Sequence, residues 1–155
     1  MEHAGGTVRG ARIGIQGFGL VGAGSAYRLD HLGANVVALA DVEGAVIHKQ
    51  LPVQNLIEDG RKSRRINRSD LSKKSQYVDP DAVLESDVDV LVLAAGSHAI
   101  NSEQAGKICA PLVVEGANFA LTPQARDTLQ RRGILVVPNV IASSSSAALV
   151  TKQMA

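Results

Sequence analysis

Residues 12–22 read Arg12-Ile13-Gly14-Ile15-Gln16-Gly17-Phe18-Gly19-Leu20-Val21-Gly22. The stretch Ala11 to Gln16 is short and apolar enough for a buried strand, and glycine upon glycine then forces a turn. From Leu20 to Leu32 the apolar positions Val21, Ala23, Ala26, Leu29 and Leu32 recur at helical spacing. Gly33 follows where a glycine ends a helix. Strand, tight turn and helix are thus encoded in about twenty residues. The Gly17-x-Gly19-x-x-Gly22 sextet by itself is a common accident in a chain with 15 glycines. Its position between a strand and a helix is what gives it meaning. There the first glycine permits the turn, the second lets backbone approach a pyrophosphate, and the third lets the helix pack closely. The helix N-terminus adds unpaired N–H groups and partial positive charge.

Outward from this core, Asn35 to Ala40 is a continuous apolar strand ending on Asp41, and Gly44 marks the next turn. Asp41 stands near the spacing at which a carboxylate accepts the adenosine ribose hydroxyls of a dinucleotide. Its charge would repel a 2′-phosphate, and the neighbouring Val42 offers no compensating donor, so NAD is expected ahead of NADP. Lys49 or the basic segment beyond it could fold back and favour NADP instead. The competing reading is that the glycines only shape a turn and Asp41 is a solvated strand end. The strand-turn-helix context weighs against it.

Further along, Ala45 to Ile47 reads as a short strand, Pro52 to Asp59 as a helix, and Asp79 to Leu84 as a helix opened by Pro80. Val88 to Ala94 is a buried strand, and Asn101 with Gln104 forms a capping box opening a helix to Ile108. Leu112 to Val114 is a strand. Thr122-Pro123 opens a helix to Arg132 that Gly133 ends, and Leu135 to Val137 closes the series. Apolar strands alternating with helices predict an α/β fold of Rossmann type, doubly wound, with a mostly parallel sheet and helices on both faces. Residues 1–10 read as a flexible lead-in and residues 11–155 as one dinucleotide-binding domain.

Composition narrows the partners. A net charge of +1 gives no global reason to expect nucleic acid or an anionic membrane. Aromatic residues make up 3 % of the chain, which argues against a β-sandwich. Arg61, Lys62, Arg64, Arg65, Arg68, Lys73 and Lys74 form a basic run without interleaved aromatics, best read as a solvated surface. The single Cys109 has no pairing partner and sits in an apolar setting, so a buried core position is expected. There is no zinc pattern, no membrane-spanning run and no signal peptide pattern, and a cytoplasmic location is the default.

Five segments carry a family resemblance: Arg12 to Gly22, Gly33 to Asp41, Asp87 to Ala95, Leu112-Val-Val-Glu-Gly-Ala-Asn118 and Arg132-Gly-Ile-Leu-Val-Val-Pro138. In order and spacing they resemble the NAD(P)-binding domain of the glutamate/leucine/phenylalanine/valine dehydrogenases. The resemblance implies oxidative deamination of an L-amino acid with hydride transfer to NAD. It further implies that Gly17, Phe18, Gly19, Leu20, Val21 and Gly22 bind pyrophosphate, that Asp41 and Val42 border the adenosine ribose, and that Ala94 and Ala95 line the cofactor groove. Asn118 would reach the nicotinamide-side ribose, although an Asx-type turn would also suit its place.

Departures from the family pattern are equally specific. Ser143 stands where the family has asparagine, and Ser145 and Ser146 where it has glycines. Gly96-Ser97-His98 replaces a family tripeptide, and a surface role for His98 is the commoner one. The family's catalytic lysine and aspartate precede its cofactor domain, so the expectation is a chain whose substrate and catalytic segment is absent and supplied by a separate domain or chain. Self-association through the exposed cleft wall, as a homo-oligomer, is also expected. The alternative is a stand-alone, non-catalytic dinucleotide-binding or NAD-sensing module. A small enzyme of other chemistry would have only His98 and Ser143 to Ser146 to work with.

Overall fold

The computed structural model describes residues 7–57, 65–66 and 76–143. Its elements in chain order are β1 (Arg12–Gln16), α1 (Leu20–His31), β2 (Asn35–Asp41), β3 (Gly44–Ile47), α2 (described over 53–57) and β4 (Gln76–Val78). A 3₁₀ turn (Pro80–Val83), β5 (Val90–Leu93), α3 (Ser102–Lys107), β6 (Leu112–Glu115), α4 (Pro123–Arg131), β7 (Leu135–Val137) and α5 (Asn139–Ala142) follow. The strands form one sheet in the order β4-β3-β2-β1-β5-β6-β7. Pairing is parallel from β2 through β7, and antiparallel between β2 and β3 and between β3 and β4. The fold is the expected α/β, doubly wound, mostly parallel architecture.

Two apolar cores lie on opposite faces of the sheet. On one face Ile13, Ile15, Val36 and Leu39 pack with Phe18, Ala26, Leu56 and Ile57, which belong to the loop after β1 and to α1 and α2. On the other, Leu91, Leu93 and Val113 pack with Val83, Ala105, Ala125 and Leu129 from the 3₁₀ turn, α3 and α4. The alternation of strand side chains makes this division unavoidable once the strands are covered on both sides.

Helix ends follow their local sequence. After α1, Gly33 takes φ +84, with its N–H donating to the Asp30 carbonyl and the Ala34 N–H to the Leu29 carbonyl. After α4, Gly133 repeats the arrangement through Gln130 and Leu129. Both are Schellman closures, which need a residue tolerant of positive φ. The Asn101/Gln104 capping box opens α3, and the Thr122 hydroxyl accepts the Ala125 N–H at the start of α4.

Two expectations change. The helix foreseen at Asp79 to Leu84 is a single 3₁₀ turn capped by the Asp79 carboxylate. Cys109 is exposed rather than buried. Its backbone N–H is tied to the Leu84 carbonyl, which sets the chain there while the side chain faces out. Within the mostly parallel sheet, β3 returns antiparallel because only Val42 and Glu43 separate it from β2, too few residues for a crossover. Of the basic run only Arg65 lies among the described residues, and Asp59, Ser145 and Ser146 lie outside them.

Candidate dinucleotide site

The carboxyl end of β1 lies between β2 and β5, where the chain's path across the sheet changes direction. Ligands of open α/β sheets settle at such switch points, because the diverging loops leave a crevice there. A cleft of about 410 Å³ occupies this place, lined by Gln16, Gly17, Phe18, Gly19, Ala40, Asp41, Val42, Pro80, Ala94 and Ala95. It therefore gathers Gly17, Phe18, Gly19, Asp41, Val42, Ala94 and Ala95 from the residues singled out in the sequence. Gln16, Ala40 and Pro80 are additions that spacing alone did not mark. Phe18 contributes as part of the loop, since its ring is buried with Ile13 and Ile15 in the core.

The three glycines are held to their identity by different things. At Gly17 φ is +95, and an added Cβ would stand 2.6 Å from the backbone of Ala94 and Ala95. At Gly22 a Cβ would lie 1.8 Å from the Gly17 carbonyl oxygen. Protein packing alone forbids a side chain at both. At Gly19 φ is −76 and nothing in the protein lies within 4 Å of where a Cβ would be. The space above Gly19 is open cleft. Helix α1 begins there with no side-chain cap and no acidic residue in its first turn. Its free N–H groups and dipole are left for an anion.

Leu20 and Val21, on that first turn, are exposed and are not part of the cleft lining, and Gly22 is buried against the Gly17 carbonyl. Asn118 also lies apart from the lining, on the loop after β6. There its Oδ1 accepts from Asn139 Nδ2 at 3.3 Å and its carbonyl accepts from the Ser97 hydroxyl at 2.8 Å. The loops after β5 and β6 are joined further by the His98 N–H donating to the Phe119 carbonyl at 2.7 Å. Both residues adopt φ +52, a left-handed conformation uncommon for either. His98 is exposed, as a surface histidine would be.

Glu115 anchors the β6 loop from below. It is fully buried, and its carboxylate accepts from the Leu121 N–H at 3.0 Å and from the Arg126 guanidinium at 2.6 Å. Ser143, at the end of α5, donates its hydroxyl to the Asn139 carbonyl. That bond closes the preceding helix.

Asp41 has a structural role in addition to its place in the cleft lining. It is 7 % exposed, at the edge of the cleft. One carboxylate oxygen accepts the N–H groups of Glu43 at 2.8 Å and Gly44 at 3.2 Å, and the other accepts the Ile66 N–H at 2.8 Å. The carboxylate closes the β2–β3 turn and moors the residue next to Arg65, which is itself ion-paired with Glu43. Part of the basic segment does fold back to this strand end.

The chain is similar to several known proteins. The family profile described as Glutamate/Leucine/Phenylalanine/Valine dehydrogenase matches residues 1–154. An NADP(+)-dependent glutamate dehydrogenase of Pyrobaculum calidifontis is 34% identical over 142 residues, covering 90% of this chain and 34% of the relative. The NAD-specific glutamate dehydrogenase A of Halobacterium salinarum is 35% identical over 138 residues, covering 85% and 30%. Among solved structures, the hetero-hexameric glutamate dehydrogenase of Thermus thermophilus in its Leu-bound form superposes with a TM-score of 0.77 at 36% identity. That superposition covers 90% of this chain and 32% of the relative. The chain thus spans about a third of the length of the relatives it matches. Among the described residues no helix is long and apolar enough to cross a membrane.

Proposed function

The chain belongs to the glutamate/leucine/phenylalanine/valine dehydrogenase family, and on that premise we propose that it forms the NAD(P)-binding part of an amino-acid dehydrogenase. The observation that carries this reading is the open cleft above Gly19, at an uncapped helix N-terminus on the switch point of the sheet. A pyrophosphate would receive hydrogen bonds from the first-turn N–H groups of α1, and its oxygens would take the space that a side chain at position 19 would fill. The adenosine half would run along Asp41, Val42, Ala94 and Ala95. The nicotinamide half would run toward Asn118, whose amide is steadied by Asn139.

When bound, the dinucleotide supplies the hydride acceptor for oxidation at the α-carbon of an amino acid. This chain's own residues bind it, orient it and fix the direction of its ring. In this reading the substrate-activating groups come from a separate domain or chain. The exposed Leu20, Val21, Phe119, Val140 and Ile141 belong to the wall that such a partner, or a second copy, would cover. A cytoplasmic location goes with the same reading.

NAD is the expected cofactor ahead of NADP. The negative charge of Asp41 at the cleft edge opposes a 2′-phosphate, and the charge of Arg65 is offset by its ion pair with Glu43. The named relatives include both NADP(+)-dependent and NAD-specific enzymes, so the preference rests on these side chains. Titration calorimetry with NAD and NADP, beside a turnover assay on a mixed amino-acid pool, tests the whole proposal. Failure to bind either nucleotide would overturn it. Binding of NADP more tightly than NAD would overturn the preference, and turnover by this chain alone would overturn the assignment of substrate activation to a separate part.

A further inference from the structure

We propose that the carboxamide of Gln16 is the hydrogen-bond acceptor that reads the exocyclic amine of the adenine ring. This rests on the dinucleotide reading and deepens it. Among the described residues, the buried side-chain polar atom left without a hydrogen-bond partner is Gln16 Oε1. Gln16 is 9 % exposed and lines the cleft. A buried amide oxygen without a protein donor is uncommon in native proteins, and at the wall of a cleft a bound molecule can supply the donor.

The surroundings say which donor fits. Gln16 closes β1 in register with Ala40 on one side and Leu93 on the other, and its backbone carbonyl is already taken by the Ala94 N–H at 2.7 Å. Ala40, Pro80, Ala94 and Ala95 complete this end of the cleft with small apolar surfaces. Such walls suit the faces of a flat heteroaromatic ring better than a hydroxylated sugar. The charged residue of the cleft lining, Asp41, has both carboxylate oxygens engaged by backbone N–H groups of the turn and of Ile66. The terminal torsion of glutamine is broad, so the carboxamide can turn its oxygen toward an incoming N–H donor at little cost. Adenine carries that donor on its exocyclic amine.

The experiment compares NAD with nicotinamide purine dinucleotide, in which a hydrogen replaces the amine, on the unmodified chain and on Gln16→Met, a substitution of similar shape without the amide. We expect the unmodified chain to bind NAD about tenfold more tightly than the purine analogue, the effect of leaving one buried acceptor unpaired. Gln16→Met is expected to bind both dinucleotides alike, at the weaker level. Its Tm without ligand should be unchanged or higher, because the unpaired oxygen is gone. A purely structural role would lower Tm and leave the preference for NAD in place, and that result overturns the proposal. Equal binding of the two dinucleotides by the unmodified chain also overturns it, whatever the variant does. Binding of neither dinucleotide by the unmodified chain overturns the dinucleotide reading itself, and the Gln16 assignment with it.

Discussion

A Cβ on Gly22 would stand 1.8 Å from the carbonyl oxygen of Gly17, so the first turn of α1 and the loop that precedes it touch backbone to backbone. That contact fixes where the helix begins relative to β1. Gly22→Ala must displace one of the two, and a loss of at least about 2 kcal/mol is expected on denaturant unfolding. Gly19→Ala meets open space at an ordinary φ, so its stability should change by less than about 1 kcal/mol, while NAD affinity falls at least tenfold. Equal effects of the two substitutions on stability would contradict this division of roles.

Asp41 holds three backbone N–H groups from a nearly buried position. Asp41→Ala leaves them without that acceptor, and a destabilisation of about 2 kcal/mol or more is expected. Hydrogen exchange gives the local signature. The amides of Gly44 and Ile66 should lose protection, whereas those of β5 and β6 should follow only the global change in stability.

Glu115 and Arg126 form an ion pair in which the carboxylate is fully buried and the guanidinium partly exposed. Arg126→Met strands the carboxylate in the core and should cost about 3 kcal/mol, well beyond the value of an exposed pair. Combining it with Glu115→Gln should recover part of the loss. A double-mutant cycle with no coupling energy would show that the pair does not anchor the loop that carries Asn118.

At the opposite end of β1, Arg12 hydrogen-bonds Asp89 through side chain and backbone and also pairs with Asp87. The hydrogen bonds from Arg12 hold the Asp89 carboxyl below its usual range. A carboxylate whose pKa is depressed by folding stabilises the native state above its unfolded pKa, and the contribution is lost as pH falls through the lower, folded value. The acid limb of unfolding should therefore steepen below about pH 4. Arg12→Met should flatten that limb while leaving the midpoint region of NAD binding at neutral pH unchanged.

What could be read from the sequence divides along physical lines. The βαβ unit at 12–41, the Schellman glycines at 33 and 133, the capping box at Asn101 and the Pro123 helix start are set by near neighbours, and they appeared where expected. The reversal of β3 follows from the two residues between Asp41 and Gly44, which are too few for a crossover. The 3₁₀ turn at Pro80–Val83 and the outward Cys109 depend on packing between distant segments, which periodicity does not carry. The site divides similarly. Glycine spacing marked the phosphate loop, whereas the saturation of Asp41 depends on Ile66, 25 positions away. The orphaned amide of Gln16 shows only when all its neighbours are in place.

Gly19 differs from its two companions in what would notice its loss. Replacement of Gly17 or Gly22 damages the fold, and any selection for a soluble, protease-resistant chain would remove such variants. A mutation at codon 19 leaves the folded chain intact and would pass that filter. Across descendants of this sequence, position 19 is thus the place where relaxed selection on ligand binding should register first. A lineage that had become a purely architectural subunit would drift there while keeping glycine at 17 and 22, so counting substitutions at these three positions separates ancestry that still holds a nucleotide from ancestry that has stopped.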